Sequence, residues 1–217
     1  MSSPHTEIIA REGWRYLLVA FLLLLGAYYL EFGNLIKLLL FVGFLTLLFF
    51  FRNPERVADD DSPGTYLAPI DGTIAGIENK HVGSRQVIVI SIANDLTDVH
   101  QVRAPADATV TEIWRRHGIF LPTASAKAAA LNEKALIKLR TGRQHLEMEM
   151  LASRLGEKIG LYPENGEKLK SGQRLGFLFS GRLDLVLPAK SELKIAIGDD
   201  VKAGKSVIGF ARSGNDA

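Results

Sequence analysis

Two apolar segments near the N-terminus constrain this chain more than any other feature of its sequence. Residues 14–30 contain a single charge, Arg15, and residues 35–51 contain a single charge, Lys37. Each segment has about 17 residues, which is near the lower limit for crossing a hydrocarbon core of roughly 30 Å as a helix. The sequence Glu-Phe-Gly-Asn at residues 31–34 separates them and is typical of a turn. The pattern predicts a transmembrane or membrane-embedded helical hairpin, which either crosses the bilayer or dips into one leaflet.

Two other interpretations of these segments are weaker. A signal peptide has one apolar stretch followed by a small-residue cleavage site, whereas here a second apolar segment follows directly. A hairpin buried inside a globular domain would need partners for two helices that are apolar on all sides, and the downstream sequence offers none.

The flanking charges predict the orientation of the hairpin. Arg11 and Arg15 precede or begin the first segment, and Arg52 and Arg56 follow the second. The turn carries no excess of basic residues. The positive-inside rule therefore predicts that both ends of the hairpin lie in the cytoplasm.

Overall charge and cysteine content exclude several classes of function. The formal net charge is only +2, so the composition gives no sign of nucleic-acid binding. The absence of cysteine excludes disulfides, thiolate metal sites and cysteine nucleophiles. We predict three parts: a membrane anchor at residues 1–52, a polar linker at residues 53–66, and a β-rich domain at residues 67–217.

Short alternating runs rich in β-branched residues predict strands after the linker. They lie at residues 72–77, 86–92, 109–114, 135–139 and 145–151. Only residues 123–131 and 151–160 favour a helix, and the second of these could equally continue a strand. The sequence predicts a mainly β domain.

Internal repeats refine this fold prediction. Residues 166–175 and 198–207 share the pattern Gly-x-x-Leu/Val-x-x-Gly-x-x-Leu/Val, and residues 68–74, 104–110 and 187–193 share a second pattern that begins Ala/Leu-Pro. Both patterns resemble the hammerhead turns of lipoyl-like barrel-sandwich domains. The alternative is that they are ordinary hairpin turns, and either interpretation leads to a compact antiparallel β domain.

Few residues are candidates for chemistry. Asp98, His100 and Arg103 lie within six residues of one another and could form a general acid–base site or bind a carboxylate, although such a polar loop can also be purely structural. Asp71 precedes a glycine, which is ordinary turn chemistry. The other histidines have no partners at metal-ligand spacing or lie in the N-terminal tail, so we predict no metal site. These are His5, His81, His117 and His145.

An ordered series of motifs resembles the short bacterial and archaeal form of phosphatidylserine decarboxylase over about residues 8–210. The motifs are Phe-Phe-Arg-Asn-Pro-Glu-Arg at 50–56, Ala-Pro-Ile-Asp-Gly at 68–72, Asp-Val-His at 98–100, Asn-Glu-Lys at 132–134 and Gly-Arg-Leu-Asp-Leu-Val-Leu-Pro at 181–188. The resemblance implies a pyruvoyl enzyme of the cytoplasmic (inner) membrane, with its globular domain facing the cytoplasm. Such enzymes convert phosphatidylserine to phosphatidylethanolamine and carbon dioxide.

The resemblance also implies a zymogen that cuts itself before a serine and converts that serine to a pyruvoyl group. On this analogy Asp71 assists self-cleavage, and His100 serves substrate binding or proton transfer during decarboxylation. Arg103 and Asp98 are assigned to substrate binding, with Arg103 pairing with a lipid carboxylate or phosphate. The expected partners are phosphatidylserine and the bilayer; a homo-oligomer is compatible with the sequence, which does not fix the oligomeric state.

The cleavage motif departs from the family pattern. The family has Phe-Gly-Ser-Arg, whereas this chain has Phe179-Ser180-Gly181-Arg182 and one residue fewer before it. Gly181 has no hydroxyl, so only Ser180 could become the pyruvoyl group, after cleavage of the Phe179–Ser180 bond. Two hypotheses follow: a working decarboxylase that uses Ser180, or a non-catalytic decarboxylase-like membrane protein that binds phospholipid or regulates its metabolism.

Overall fold

The computed structural model describes residues 8–83, 85–154 and 159–212 and divides the chain into two compact units, Met1–Glu55 and Arg56–Ala217. The first unit contains a short 3-10 helix, Arg11–Gly13, followed by α1, Trp14–Tyr29, and α2, Asn34–Phe50. The predicted helical hairpin is therefore present. No helix in the described residues is both long and apolar enough to cross a membrane.

Contacts at the open end hold the two helices of the hairpin together. The Ala10 amide donates to the Phe51 carbonyl at 2.8 Å, and the Asn53 amide donates to the Ile8 carbonyl at 2.8 Å. Gly13 lies against the Phe51 ring so closely that a Cβ there would stand 2.5 Å from the Phe51 Cβ. Most large apolar side chains of both helices nevertheless remain exposed.

The second unit is mainly β, as the sequence predicted. Six strands have eight or more residues, and five of them contain the five predicted segments: β2, Gly72–Val82; β3, Arg85–Asn94; β5, Ala108–Arg116; β6, Lys134–Thr141; and β7, Gln144–Ala152. An eight-residue strand, β11, spans Gly181–Pro188. The short strands are β1, Thr65–Leu67; β4, Gln101–Arg103; β8, Gly160–Leu161; β9, Lys168–Leu169; β10, Arg174–Phe177; β12, Glu192–Leu193; β13, Asp200–Val201; and β14, Val207–Phe210.

These strands form three sheets. The largest has the order β13-β2-β3-β11-β7-β6-β5-β9, and the two smaller sheets have the orders β1-β14-β12 and β4-β10-β8. Every pairing between named strands is antiparallel. The inward-facing side chains of β3, β6, β7 and β11 form much of one apolar core, because alternate residues of a strand point to the same face. Strand β11 lies inside the large sheet, between β3 and β7.

The repeated glycines form turns. Gly166, Gly172, Gly198 and Gly204 all have positive φ, from 66° to 95°, which glycine adopts without steric cost. Gly172 and Gly204 lie against each other, since a Cβ on Gly204 would stand 3.4 Å from the Gly172 Cα. The two repeats therefore meet at equivalent glycines.

Of the two segments that favoured a helix in the β domain, the first is mostly not helical and the second begins as a strand. Within residues 123–131 only Ala128–Leu131 is helical, as α3, and residues 123–127 form turns and a bend. In the second segment β7 continues to Ala152, as the alternative strand interpretation predicted, and residues 155–158 lie outside the described residues. An alanine-rich run has high helix propensity, but a short helix depends on tertiary packing rather than propensity.

Candidate active site

Ser180 lies in the tight connection between β10 and β11 and has a strained backbone. Its φ is 55°, in the left-handed region that glycine favours, and among the described non-glycine residues only Glu31 shares this feature. The amide of Ser153 donates to the Ser180 carbonyl at 3.1 Å and holds the turn against the end of β7. A left-handed serine costs about 1–2 kcal/mol relative to its ordinary conformation, so the surrounding structure imposes this geometry.

Position 181 requires glycine, because the backbone of β7 lies very close to it. It is the first residue of β11 and pairs with Asn94 on β3 and with Ala152 on β7. A Cβ at this position would stand 2.3 Å from the Leu151 carbonyl oxygen, which a real side chain cannot do. A serine therefore does not fit at position 181 in this backbone. The hydroxyl at this turn belongs to Ser180.

His100 is fully buried beside the segment that leads to Ser180. Its ring centroid lies 4.6 Å from that of Phe179 and 5.9 Å from that of Phe177. Its main-chain carbonyl accepts a hydrogen bond from the Leu178 amide at 3.0 Å. The structure thus brings together two residues that the sequence singled out, His100 and Phe179, with Ser180 adjacent to Phe179.

Asn94 connects His100 to the start of β2. Its Oδ1 lies 2.9 Å from His100 Nδ1, and its Nδ2 donates to the main-chain oxygens of Asp71 at 2.9 Å and Val99 at 3.2 Å. Sequence analysis did not identify this residue, because an asparagine at the end of an apolar run is indistinguishable from ordinary turn chemistry.

The Asp71 carboxylate is held by three donors. Nη1 and Nη2 of Arg56 donate to its two oxygens, the second at 2.7 Å, and the Ala203 amide donates to Oδ1 at 2.8 Å. Arg56 Nη1 also donates to the Ala203 carbonyl at 3.1 Å. Asp71 is thereby linked to His100 through its main-chain oxygen and Asn94, while its carboxylate faces Arg56.

Asp98 lies in the turn between β3 and β4, two residues before His100. Its Oδ2 accepts a hydrogen bond from the Asp95 amide at 2.8 Å. Burial raises the pKa of the Asp98 carboxyl above its ordinary value of 3.8, and the negative charges of Asp71, Asp95 and Asp200 add to this effect. The carboxyl therefore holds its proton to a higher pH than a solvated aspartate does.

Arg103 lies at the far end of β4 from His100 and is buried. Its Nη1 donates to the Gly172 carbonyl at 3.0 Å, and its Cδ stands 2.7 Å from where a Cβ of Gly204 would be. These contacts place the Arg103 side chain beside the paired glycine turns. Its predicted pairing with a lipid headgroup stays a prediction.

The remaining histidines are spread over the domain. The Nδ1 of His117 lies 3.3 Å from both carboxylate oxygens of Glu133, His81 is on β2, and His145 is on β7. His5 lies outside the described residues. Within residues 8–83, 85–154 and 159–212 there is no group of three or more side chains that could hold a metal ion.

Comparison with known proteins assigns the family. The family model described as phosphatidylserine decarboxylase matches residues 44–209. The phosphatidylserine decarboxylase proenzyme of Burkholderia mallei (strain ATCC 23344) is 33% identical over 213 residues, covering 96% of this chain and 97% of the relative. The proenzyme of Paraburkholderia xenovorans (strain LB400) is 32% identical over 213 residues, covering 96% and 99%.

This domain, with a strained turn beside a buried histidine, belongs to a class of enzymes that are made as proenzymes and depend on a pyruvoyl group. The chain is a member of the phosphatidylserine decarboxylase family. The resemblance inferred from the motifs and the predicted enzyme class are thereby confirmed.

Only one residue at this turn could give rise to a self-derived pyruvoyl group. Position 181 offers neither a hydroxyl nor room for a side chain, whereas Ser180 has the hydroxyl and lies in a strained turn. The group, if formed, would come from Ser180, whose neighbour in the chain, Phe179, packs against His100.

Proposed function

We propose that this protein is a self-processing decarboxylase that cuts the Phe179–Ser180 bond and then converts phosphatidylserine to phosphatidylethanolamine. The observation that carries the proposal is the left-handed φ of Ser180, because backbone strain at a non-glycine residue persists where function selects it. The names of the relatives supply the substrate and the proenzyme character.

In self-processing, the two residues of the cut bond supply the reacting groups. The Ser180 hydroxyl attacks the Phe179 carbonyl carbon, the peptide C–N bond breaks, and an ester joins Phe179 to the Ser180 oxygen. A base then removes the Cα hydrogen of residue 180, and elimination breaks its Cβ–O bond, releases Phe179 as a carboxylate and leaves a dehydroalanine. Tautomerisation and reaction with water expel ammonia and leave a pyruvoyl group at the new N-terminus. Release of the left-handed strain favours the first step.

We assign the proton transfers to His100, because its imidazole packs against Phe179, the residue on the other side of the cut bond. Asp71 supports this site through its main-chain oxygen, which accepts from Asn94, while Arg56 and Ala203 fix its carboxylate. The pyruvoyl group supplies an electron-accepting ketone for the loss of carbon dioxide. Asp98 and Arg103 are proposed substrate-binding residues.

Intact-mass analysis of the freshly purified full chain tests this proposal. We expect two products, residues 1–179 and residues 180–217, with the second blocked by a pyruvoyl group. Release of phosphatidylethanolamine from phosphatidylserine vesicles should accompany them. The Ser180→Ala variant should remain full length and inactive.

A single full-length mass for the wild-type chain after prolonged incubation with phosphatidylserine vesicles would contradict the pyruvoyl mechanism. The non-catalytic, phospholipid-binding alternative would then be the better description. A cut at another bond would also contradict the assignment of Ser180.

We further propose that the hairpin embeds in the cytoplasmic membrane and keeps the β domain on the cytoplasmic side, close to its lipid substrate. One support is the large exposed apolar surface of α1 and α2, because contact of such a surface with water is unfavourable. The other is the set of basic residues that flank the hairpin, Arg11, Arg15, Arg52 and Arg56. Short helices of 16 and 17 residues suit a hairpin that dips into one leaflet.

Flotation with phosphatidylserine-containing vesicles tests the membrane proposal. Val42 lies at the middle of α2 and is 51% exposed, so Val42→Asp should weaken partitioning by up to about 3 kcal/mol. Val57 is 86% exposed outside the hairpin, and Val57→Asp is the matched control that should float like the wild type. Equal flotation of both variants would contradict the proposal.

A further inference from the structure

The amide of Asn94 has one orientation that satisfies its neighbours. The residue is buried at the end of β3, and its Nδ2 lies 2.9 Å from the Asp71 oxygen and 3.2 Å from the Val99 oxygen. Main-chain oxygens only accept hydrogen bonds, so the nitrogen of the amide must face them. This assignment from the hydrogen-bond network leaves Oδ1 as the atom that faces His100.

The orientation of this amide determines the protonation of the imidazole. Asn94 Oδ1 lies 2.9 Å from His100 Nδ1, and a carbonyl oxygen can only accept. Nδ1 must therefore carry a hydrogen. In a neutral imidazole the other nitrogen then carries the lone pair, so Nε2 is the basic atom of His100.

We propose that Asn94 is a positioning residue that holds His100 in the Nδ1–H tautomer and thereby makes Nε2 the base for self-processing at Ser180. The role of Nε2 rests on the proposed function, whereas the tautomer does not. The Asn94 side chain connects the histidine to the start of β2, and the Asn94 main chain pairs with Gly181, the first residue of the strand after the cut bond.

Nitrogen NMR of ¹⁵N-histidine-labelled full-length protein in detergent reads the tautomer directly. The Ser180→Ala background keeps the chain uncut, and loss of one signal set in a His100→Gln variant assigns His100. We expect the Nδ1–H form when Asn94 is present and a substantial Nε2–H population in Asn94→Ala. Asn94→Asp retains an acceptor facing Nδ1, so it should keep the Nδ1–H form.

The rate of self-processing in the Ser180-containing chain is the second readout. Asn94→Ala should slow processing at least about tenfold. Asn94→Asp keeps an acceptor for Nδ1 but cannot donate to the Asp71 and Val99 oxygens, so it should process faster than Asn94→Ala and more slowly than the wild type. An Nε2–H histidine in the Asn94-containing protein, or equal rates in wild type and Asn94→Ala, would overturn the proposal.

The two readouts separate the two proposals. If the wild-type chain is never cut, the proposed function fails, and the NMR experiment still decides whether Asn94 sets the tautomer. If Asn94→Ala does not fold, the tautomer of the Asn94-containing protein and of Asn94→Asp decides the inference by itself.

Discussion

Ser180 and Gly181 are adjacent residues with opposite steric requirements. Position 180 has the left-handed φ that glycine favours, yet it holds a serine, whereas position 181 accepts only glycine because of the Leu151 carbonyl. The order Ser-Gly in this chain is thus consistent with its backbone, and strain is concentrated on the residue that bears the hydroxyl. A Ser180→Gly change would relieve that strain and also remove the nucleophile.

Asp98 gives a pH-dependent prediction at the residue scale. Its raised pKa means that the folded protein holds a proton that the unfolded chain releases near pH 3.8. Stability is therefore lost as pH rises through a window that begins near 3.8 and extends upward to the folded-state pKa. The Asp98→Asn variant can keep the acceptor for the Asp95 amide but has no proton to lose, so it should be the more stable protein at neutral pH.

Thermal unfolding of wild type and Asp98→Asn between about pH 3 and pH 7 tests whether the Asp98 carboxyl lowers stability as the pH rises. The difference in Tm should grow from pH 3 to pH 7. A difference that is constant with pH would show that the Asp98 carboxyl does not contribute. A lower rate of decarboxylation in the more stable variant would support the proposed substrate-binding role.

Part of the site could be predicted from residue types alone. Asp71, Asp98, His100 and Ser180 were identified because carboxylates, imidazoles and hydroxyls carry chemistry and because their motifs resemble a family. Asn94 was missed, since its role depends on three contacts made after folding. The steric requirement at position 181 was likewise hidden, because it arises from a carbonyl about thirty residues earlier in the chain.

At the scale of elements, the alternation of apolar and polar residues predicted the strands, and the glycine spacing predicted turns. The five predicted strand segments all lie within strands, because one face of each strand is buried in a common core. Their true ends could not be predicted, as β2 continues five residues beyond its predicted end at residue 77, to Val82. The alanine-rich segment was misjudged because its composition favours a helix, whereas only Ala128–Leu131 is helical, and a helix this short depends on packing rather than propensity.

The Arg56–Asp71 ion pair anchors the start of β2 and provides a test at this scale. Its side chains are only 11% and 10% exposed, and removal of one partner leaves a buried charge. Arg56→Ala should therefore lower the free energy of unfolding by about 3–5 kcal/mol. The exposed pair of Lys205 and Asp59, 47% and 55% exposed, is the matched control, and Lys205→Ala should cost less than about 1 kcal/mol.

Thermal unfolding of the two full-length variants in the same detergent measures both effects. Similar losses in Arg56→Ala and Lys205→Ala would contradict the anchoring role of Arg56. A selective loss of stability in Arg56→Ala, with self-processing slowed as well, would connect the anchor to the site through Asp71 and Asn94.

At the scale of the whole molecule, the proposed cut falls at an unusual place in the topology. Residues 180–217 contain β11, which lies between β3 and β7 of the large sheet, together with β12, β13 and β14. Eight residues of β11 pair with β3 and six with β7. We expect the two products to migrate as one species in size-exclusion chromatography and to separate only in denaturant. Separation under native conditions would contradict the buried position of β11.

The interior position of β11 has a consequence for the thermodynamics of the cut protein. Before cleavage, unfolding converts one molecule into one molecule, so the midpoint does not depend on protein concentration. After cleavage the unfolded state consists of two independent chains, and mass action makes the midpoint rise with concentration. Processing would thus convert a folding equilibrium into an association equilibrium without removing a single strand pairing. A dilution series of the processed protein would measure the strength of that association.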